Sequence, residues 1–262
     1  MAWLNAPHRV AAELAPAVWT FAAAERRRGT APRLVAARAI GATGAALVDD
    51  IRAFRRAAKL PIDVSVILWP HATDEGVVPI ETRGAGPVAV PKARVIRDRV
   101  APLVRAGSLV TEVMLPHECL PALIALRGLT SACVIVAHTA MTCVGVVGDG
   151  VVEARYLSSA APKPSFDSES ARLLARYQHI ASLAPHIREI GGAAPGLRMI
   201  VTGPLPSLRA AMVPLVEELD HEIDVLDGDV PSPAPHALES ADPDDISGVQ
   251  LAWALAATAP GR

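Results

Sequence analysis

The chain has 262 residues, of which 51% are apolar and only 3% aromatic, and its formal net charge is -2. That length admits one large domain or two lobes, the core must be built from Ala, Val, Leu and Ile, and the near-neutral balance excludes the basic field of a nucleic-acid partner. The N-terminus shows no basic-then-apolar leader and no run reaches the ~20 apolar residues of a membrane span, so a cytoplasmic protein without direct membrane insertion is expected.

In chain order, Val10 to Leu14 reads as a strand ending at Pro16, and Ala17 to Ala24 as a second with Trp19 and Phe21 on one face. A polar turn, Glu25-Arg26-Arg27-Arg28-Gly29, precedes a third strand, Arg33 to Ile40. Thr43 is placed to cap a helix running to about Ala58, with Leu47, Ile51 and Phe54 as its apolar stripe. Pro61 leads into a fourth strand, Asp63 to Leu68, and Pro70 to Pro91 reads as irregular. A helix from Lys92 to Ala106 closes at Gly107, Leu109 to Leu115 is a fifth strand, and His117 to Leu126 a helix. Ser131 to Leu157 holds three short β-branched runs, Cys133 to Val136, Thr142 to Val147 and Val151 to Leu157. Gly148-Asp149-Gly150 between the last two supplies the positive φ that a tight hairpin needs. After a Ser/Pro-rich loop, a long helix is expected from Asp167 or Ser168 to about Arg188, then a strand from Arg198 to Thr202 and a helix from Pro206 to Leu219. Ile223 to Leu226 is a strand, and the acidic, Pro-rich Asp227 to Asp242 an exposed loop. Asp242-Pro243-Asp244-Asp245, with its acid at N-cap and proline at N1, starts a last helix to about Ala257.

Both halves therefore read strand-strand-strand-helix-strand-helix-strand-helix, an internal duplication. The expected fold is α/β, with lobes at 1–130 and 131–262 and a reduced insert at 70–91. Two such lobes, ribonuclease H-like and packed together, resemble the actin, hexokinase and heat-shock-protein ATPase superfamily. The resemblance implies an Asp-x-Gly type motif in the first turn of each lobe, the glycine admitting backbone N–H groups to phosphate and the aspartate holding the magnesium water shell. The first lobe has Glu13-Leu14-Ala15-Pro16 there: Glu13 keeps a carboxylate, while Ala15 replaces the glycine and Pro16 lacks an N–H. The second lobe has Ala137-His138-Thr139-Ala140, with neither carboxylate nor glycine. A third implied element is a Gly-Gly pair where adenosine packs; here Gly203 is followed by Pro204. The positions of a nucleotide site are thus Glu13, Ala15, Ala137, His138, Thr139 and Gly203, in degenerate form. A non-hydrolysing member without a cofactor is expected, with weak ATP and magnesium binding through Glu13 and Gly203 left open.

The resemblance narrows at Arg33-Leu-Val-Ala-Ala-Arg38, at Val110 to Glu118, at Ser170 to Ile190 with its Arg176-Tyr177 pair, and at Met199 to Asp227. These stretches look like PilM-type pilus-assembly proteins and the cytoplasmic domain of the type II secretion component GspL. The resemblance implies a cytoplasmic scaffold recruited to the inner face of the membrane, which clamps the tail of an inner-membrane protein or docks an assembly ATPase. PilM-type proteins carry an extra subdomain that helps form the tail-binding groove; here only Pro70 to Pro91 stands in its place. Two alternatives stay open: an active actin-like ATPase using Glu13 with a second acid, and an unrelated α/β enzyme with a metal at His71 or His179.

Other residue groups read as structural. His71, Asp74 and Glu75 lie in the irregular stretch without a second ligand cluster, and His179, His186 and Glu189 share a helix face without closer convergence. Gly41-Ala42-Thr43-Gly44 lacks a lysine or a third glycine and reads as a turn and helix cap rather than a phosphate loop. The sparse, odd set Cys119, Cys133 and Cys143 has no metal spacing and fits buried thiols in a reducing compartment.

Overall fold

The structure is a computed structural model that describes residues 8–15, 18–26, 30–42, 46–70, 78–80, 88–90, 92–138, 141–148, 151–158, 177–204, 208–226 and 243–258. The first half opens with an antiparallel meander, β1 (His8–Leu14), β2 (Val18–Glu25) and β3 (Arg33–Gly41). Helix α1 (Leu47–Ala57) follows, then β4 (Asp63–Leu68), which pairs parallel to β1. Helix α2 (Ala93–Arg105), strand β7 (Leu109–Met114) and helix α3 (Pro116–Leu126) complete the half. The second half repeats the plan with β8 (Ala132–Ala137), β9 (Met141–Gly148), β10 (Val151–Ser158), helix α4 (Ala184–Glu189) and β11 (Met199–Thr202). It ends with helices α5 (Leu208–Ala211) and α6 (Val213–Leu219), strand β12 (Ile223–Val225) and helix α7 (Pro243–Thr258). The two sheets have the same strand order, β3-β2-β1-β4-β7 and β10-β9-β8-β11-β12, so the duplication seen in the sequence is a duplication of topology.

Each sheet is covered on both faces, and period-two alternation sorts its side chains into two layers. On β1, Val10, Ala12 and Leu14 face an outer core shared with Leu47, Ile51 and Phe54 of α1 and with Val100 and Leu103 of α2. Ala11 and Ala15 face the other way, into a central core. On β8, Cys133, Ile135 and Ala137 join an outer core with Ile187 of α4 and Leu215 of α6, whereas Ala132, Val134 and Val136 face the centre.

The central layer is built from α3 and α7, and each is exchanged. Helix α3 closes the first half yet packs on β9 and β10 of the second; α7 closes the second half yet packs on β1, β2 and β3 of the first. Val249 to Ala257 are buried without interruption, the pattern of a helix surrounded on all sides. Gly145 in β9 makes room for α3, since a Cβ there would fall 2.4 Å from Leu120 Cδ1. Small residues on the inner faces, among them Ala11, Ala22, Ala24 and Ala37, let the helices lie close to the sheet.

Three stretches differ from the sequence reading. Pro70 to Pro91 is not wholly irregular: β5 (Val78–Ile80) and β6 (Val88–Val90) form a two-stranded antiparallel ribbon, too short for periodicity to reveal. Of the long helix expected from Asp167 or Ser168, residues 167–176 lie outside the described residues; in the remainder, 177–181 are helical, 182–183 turn, and α4 begins anew. Pro185 cannot donate to the Ala181 carbonyl, and at the turn Ser182 Oγ donates to the His179 carbonyl (2.6 Å). Likewise Pro214 cannot donate to Ala210, and the helix expected from Pro206 to Leu219 is divided into α5 and α6. Thr43, the expected cap of α1, lies outside the described residues, where Ala46 occupies the N-cap.

Candidate functional site

Strands β1 and β8 are the middle strands of their sheets, and the first turn of each half leaves from their C-terminal ends. Alternation decides which side chains meet there. Glu13 follows Ala11 on the central face of β1, and His138 follows Val134 and Val136 on the central face of β8. The ends of β1 and β8 therefore aim a carboxylate and an imidazole at each other across the layer between the sheets.

They touch. His138 Nε2 lies 2.9 Å from Glu13 Oε1, and the side chains are 4% and 1% exposed. Trp69, two residues beyond Ile67 on the central face of β4, donates from Nε1 to the same oxygen (2.6 Å). Thr20, the cross-strand partner of Glu13 on β2, donates from Oγ1 to Oε2 (3.2 Å). With Glu13 as a carboxylate, which only accepts, this contact requires a hydrogen on His138 Nε2. Three donors compensate the desolvation of a group that would otherwise be costly to bury.

The cluster continues sideways. The Trp69 ring lies 4.4 Å from the His138 ring, centroid to centroid, and 6.2 Å from Tyr156, which it meets edge to face. Tyr156 is level with Cys143 and Val136 in the ladder, hence at the same edge of the second sheet as His138. Its hydroxyl accepts from the His117 backbone N–H (3.2 Å) and lies 2.8 Å from His117 Nδ1. Burial lowers the His117 pKa, opposed in part by Glu118, and burial raises that of Tyr156 well above the ordinary phenol value. The Trp69 carbonyl accepts from Arg99 Nη1 of α2.

Of the remaining predicted positions, Ala15 is buried in the central core. Thr139 lies outside the described residues. Gly203 has φ +132°, and a Cβ there would fall 2.0 Å from the Ala137 carbonyl oxygen, so the close approach of the ends of β8 and β11 itself requires glycine. The structure thus brings together Glu13 and His138, with Ala15 in the same layer, and sets Ala137 and Gly203 against each other at the next strand. Trp69, Thr20 and Tyr156 were not among the candidates. Alternation from Ile67 to Trp69 and the cross-strand position of Thr20 are the signals that point to the first two.

As a holder of magnesium and phosphate this donor set does not fit. Both Glu13 oxygens are engaged by protein donors, and the opposing turn presents an imidazole instead of a carboxylate or a run of glycine N–H groups. Among the described residues no three His, Cys, Asp or Glu side chains gather as a metal site. His179 Nε2 is 3.1 Å from Thr142 Oγ1, whereas His186 lies 3.9 Å from Glu189 beyond the break in the helix. His71, Asp74 and Glu75 fall outside the described residues, as do Thr43 and Gly44. The three cysteines are buried; burial raises Cys119 well above the ordinary thiol value and Cys133 and Cys143 to about 12, which disfavours their thiolate forms. Among the described residues no helix is long and apolar enough to cross a membrane.

No family model matches the chain, and no curated protein matches its sequence. Solved structures do resemble it. PilM in the "PilM-PilN type IV pilus biogenesis complex" is matched at TM-score 0.64 and 14% identity, over 95% of this chain and 97% of that one. The ethanolamine utilization protein EutJ from Carboxydothermus hydrogenoformans is matched at 0.57 and 13%, over 94% and 89%. The activator of the 2-hydroxyisocaproyl-CoA dehydratase from Clostridium difficile, with bound ADPNP, is matched at 0.58 and 8%, over 95% and 92%. With the same strand order repeated in two sheets and helices exchanged between them, these likenesses show that the chain has the duplicated actin-like fold.

Proposed function

We propose that this protein is a non-catalytic scaffold that uses the actin-like fold as a frame for docking other proteins. The observation that carries the reading is the buried hydrogen bond between Glu13 and His138, which occupies the space between the two first turns where a polyphosphate would have to lie. To admit one, the protein would have to break that bond, strip Glu13 of its Trp69 donor, and still offer few N–H groups in return. The partner class rests on likeness. The PilM structure is that of a pilus-biogenesis complex, and the sequence stretches noted above resemble the same group. The reading is therefore a component of a type IV pilus-like or type II secretion-like envelope assembly. It acts on the cytoplasmic side and binds the tail of an inner-membrane protein or an assembly ATPase.

Calorimetric titration with ATP and magnesium tests the first half of the proposal. The expected result is no binding heat and no phosphate release. Binding at micromolar Kd or tighter, about -8 kcal/mol, would overturn it, and would favour an active ATPase if Glu13→Gln abolished it. The partner class is tested by co-purification with the cytoplasmic tail of a bitopic inner-membrane protein and with an assembly ATPase. Capture of neither would remove the envelope-assembly reading.

A further inference from the structure

We infer that Glu13, Trp69 and His138 form an interlobe latch that holds the two sheets at one fixed approach at the C-terminal ends of β1 and β8. Residues 125 positions apart, on the middle strands of two different sheets, share a hydrogen bond in a site closed to water. Trp69 serves both sides at once: it donates to Glu13 of its own sheet while its ring packs on His138 and Tyr156 of the other. From Tyr156 the chain of contacts passes to His117, at the start of the exchanged helix α3. Five side chains thus span the top edge of the central layer without interruption. A separate contact, Arg127 Nη2 to Gln250 Oε1 (3.2 Å), ties the far end of α3 to α7.

The energetic character of the latch follows from its burial. A hydrogen bond to a buried carboxylate is strong. Separating the sheets would leave Glu13 the two donors of its own sheet, Thr20 and Trp69, but would take from the buried His138 imidazole its carboxylate partner, and that loss is what resists opening. The contact ties the two sheets together at this edge. A partner then meets both lobes in a single arrangement, set by the protein and not by a ligand.

The inference rests on the same pair as the proposed function, but not on the absence of nucleotide binding, and its test contains no nucleotide. Amide hydrogen exchange of the full chain is measured by mass spectrometry for the wild type and for His138→Ala, Glu13→Gln and Trp69→Phe. Ile51→Val serves as the control, since Ile51 lies in the outer core, remote from the latch. A latch predicts that His138→Ala raises exchange at the ends of β1, β4 and β8 by about tenfold or more, with β3, which carries none of the five side chains, unchanged. Glu13→Gln, which keeps shape and some hydrogen bonding, and Trp69→Phe, which removes the Nε1 donor but leaves the bond between Glu13 and His138, should raise the same peptides by less. Exchange that rises uniformly, as for Ile51→Val, would overturn the inference, because the pair would then be ordinary core. No rise in any of the three variants would overturn it as well. If His138→Ala fails to fold, the two conservative variants decide by the same local-against-uniform criterion.

Discussion

Gly203 illustrates how a residue kept for one reason can be read as kept for another. Its sequence position suggests the adenosine pocket of an ATPase; its geometry shows a steric demand. The backbone is in the left-handed region at φ +132°, and the space for a Cβ is filled by the carbonyl of Ala137. Gly203→Ala should therefore cost ~2 kcal/mol or more, from backbone strain plus displacement of β8. Gly148→Ala, where a Cβ would meet nothing within 4 Å, should stay within ~1 kcal/mol of wild type. Urea unfolding of the two variants checks this, and equal losses would mean that the β8–β11 approach is not tight. Glu13 and His138 were legible as turn residues because each follows a β-branched or alanine-rich run, and period two even gives their facing. Their contact was not legible, since nothing local in either turn encodes a partner 125 residues away. Trp69 was missed because it lies just past a strand, beside Pro70, where attention falls on the break and not on the facing.

At the scale of elements, strands of six or more residues with β-branched sequences were legible, as was the pairing of β9 with β10, although Gly148 ends β9 without the positive φ expected of it and Asp149 and Gly150 lie outside the described residues. What the pattern did not give was where a helix is interrupted by proline and which sheet a helix packs on. Two histidines mark such packing. His117 ties α3 to Tyr156 on β10, and His179 ties the helical turn 177–181 to Thr142 on β9. Burial lowers the pKa of both below the ordinary 6.5. The folded state therefore holds them neutral to lower pH than the unfolded state does. Their contribution to stability is complete above about pH 6.5, where both states are neutral, and is lost as pH falls through the folded pKa values, because the unfolded chain takes up the protons first. The midpoint of urea unfolding should be level from pH 8 to about 7 and fall as the pH drops below about 6.5. His117→Asn should flatten part of that fall. An unchanged acid slope in the variant would show that α3 is not held by the neutral imidazole.

The whole molecule combines two facts that pull in opposite directions. The duplication is visible in the strand order of each half, and invites division at residue 130 into two lobes. The exchange of α3 and α7 means that neither half covers its own central face. A fragment of residues 1–130 would lose α7 and expose Ala11, Ala22, Leu34 and Ala37; a fragment of residues 131–262 would lose α3 from Val134 and Cys143. Uncovered sheet faces of this size cost more than a domain's marginal stability, which is ~5–15 kcal/mol in all. We therefore predict that the full chain unfolds in one transition, and that each fragment alone binds a hydrophobic dye and lacks a sharp thermal transition. Produced together, the fragments should form a one-to-one complex with a cooperative transition restored, because each supplies the helix the other lacks. Calorimetry of the chain, of each fragment and of the mixture reads all three outcomes. Two separate transitions in the full chain, or a fragment that melts sharply by itself, would mean that the exchanged helices add little. The lobes would then be independent bodies joined by a linker, and the actin-like cleft would be free to open despite the contact between Glu13 and His138.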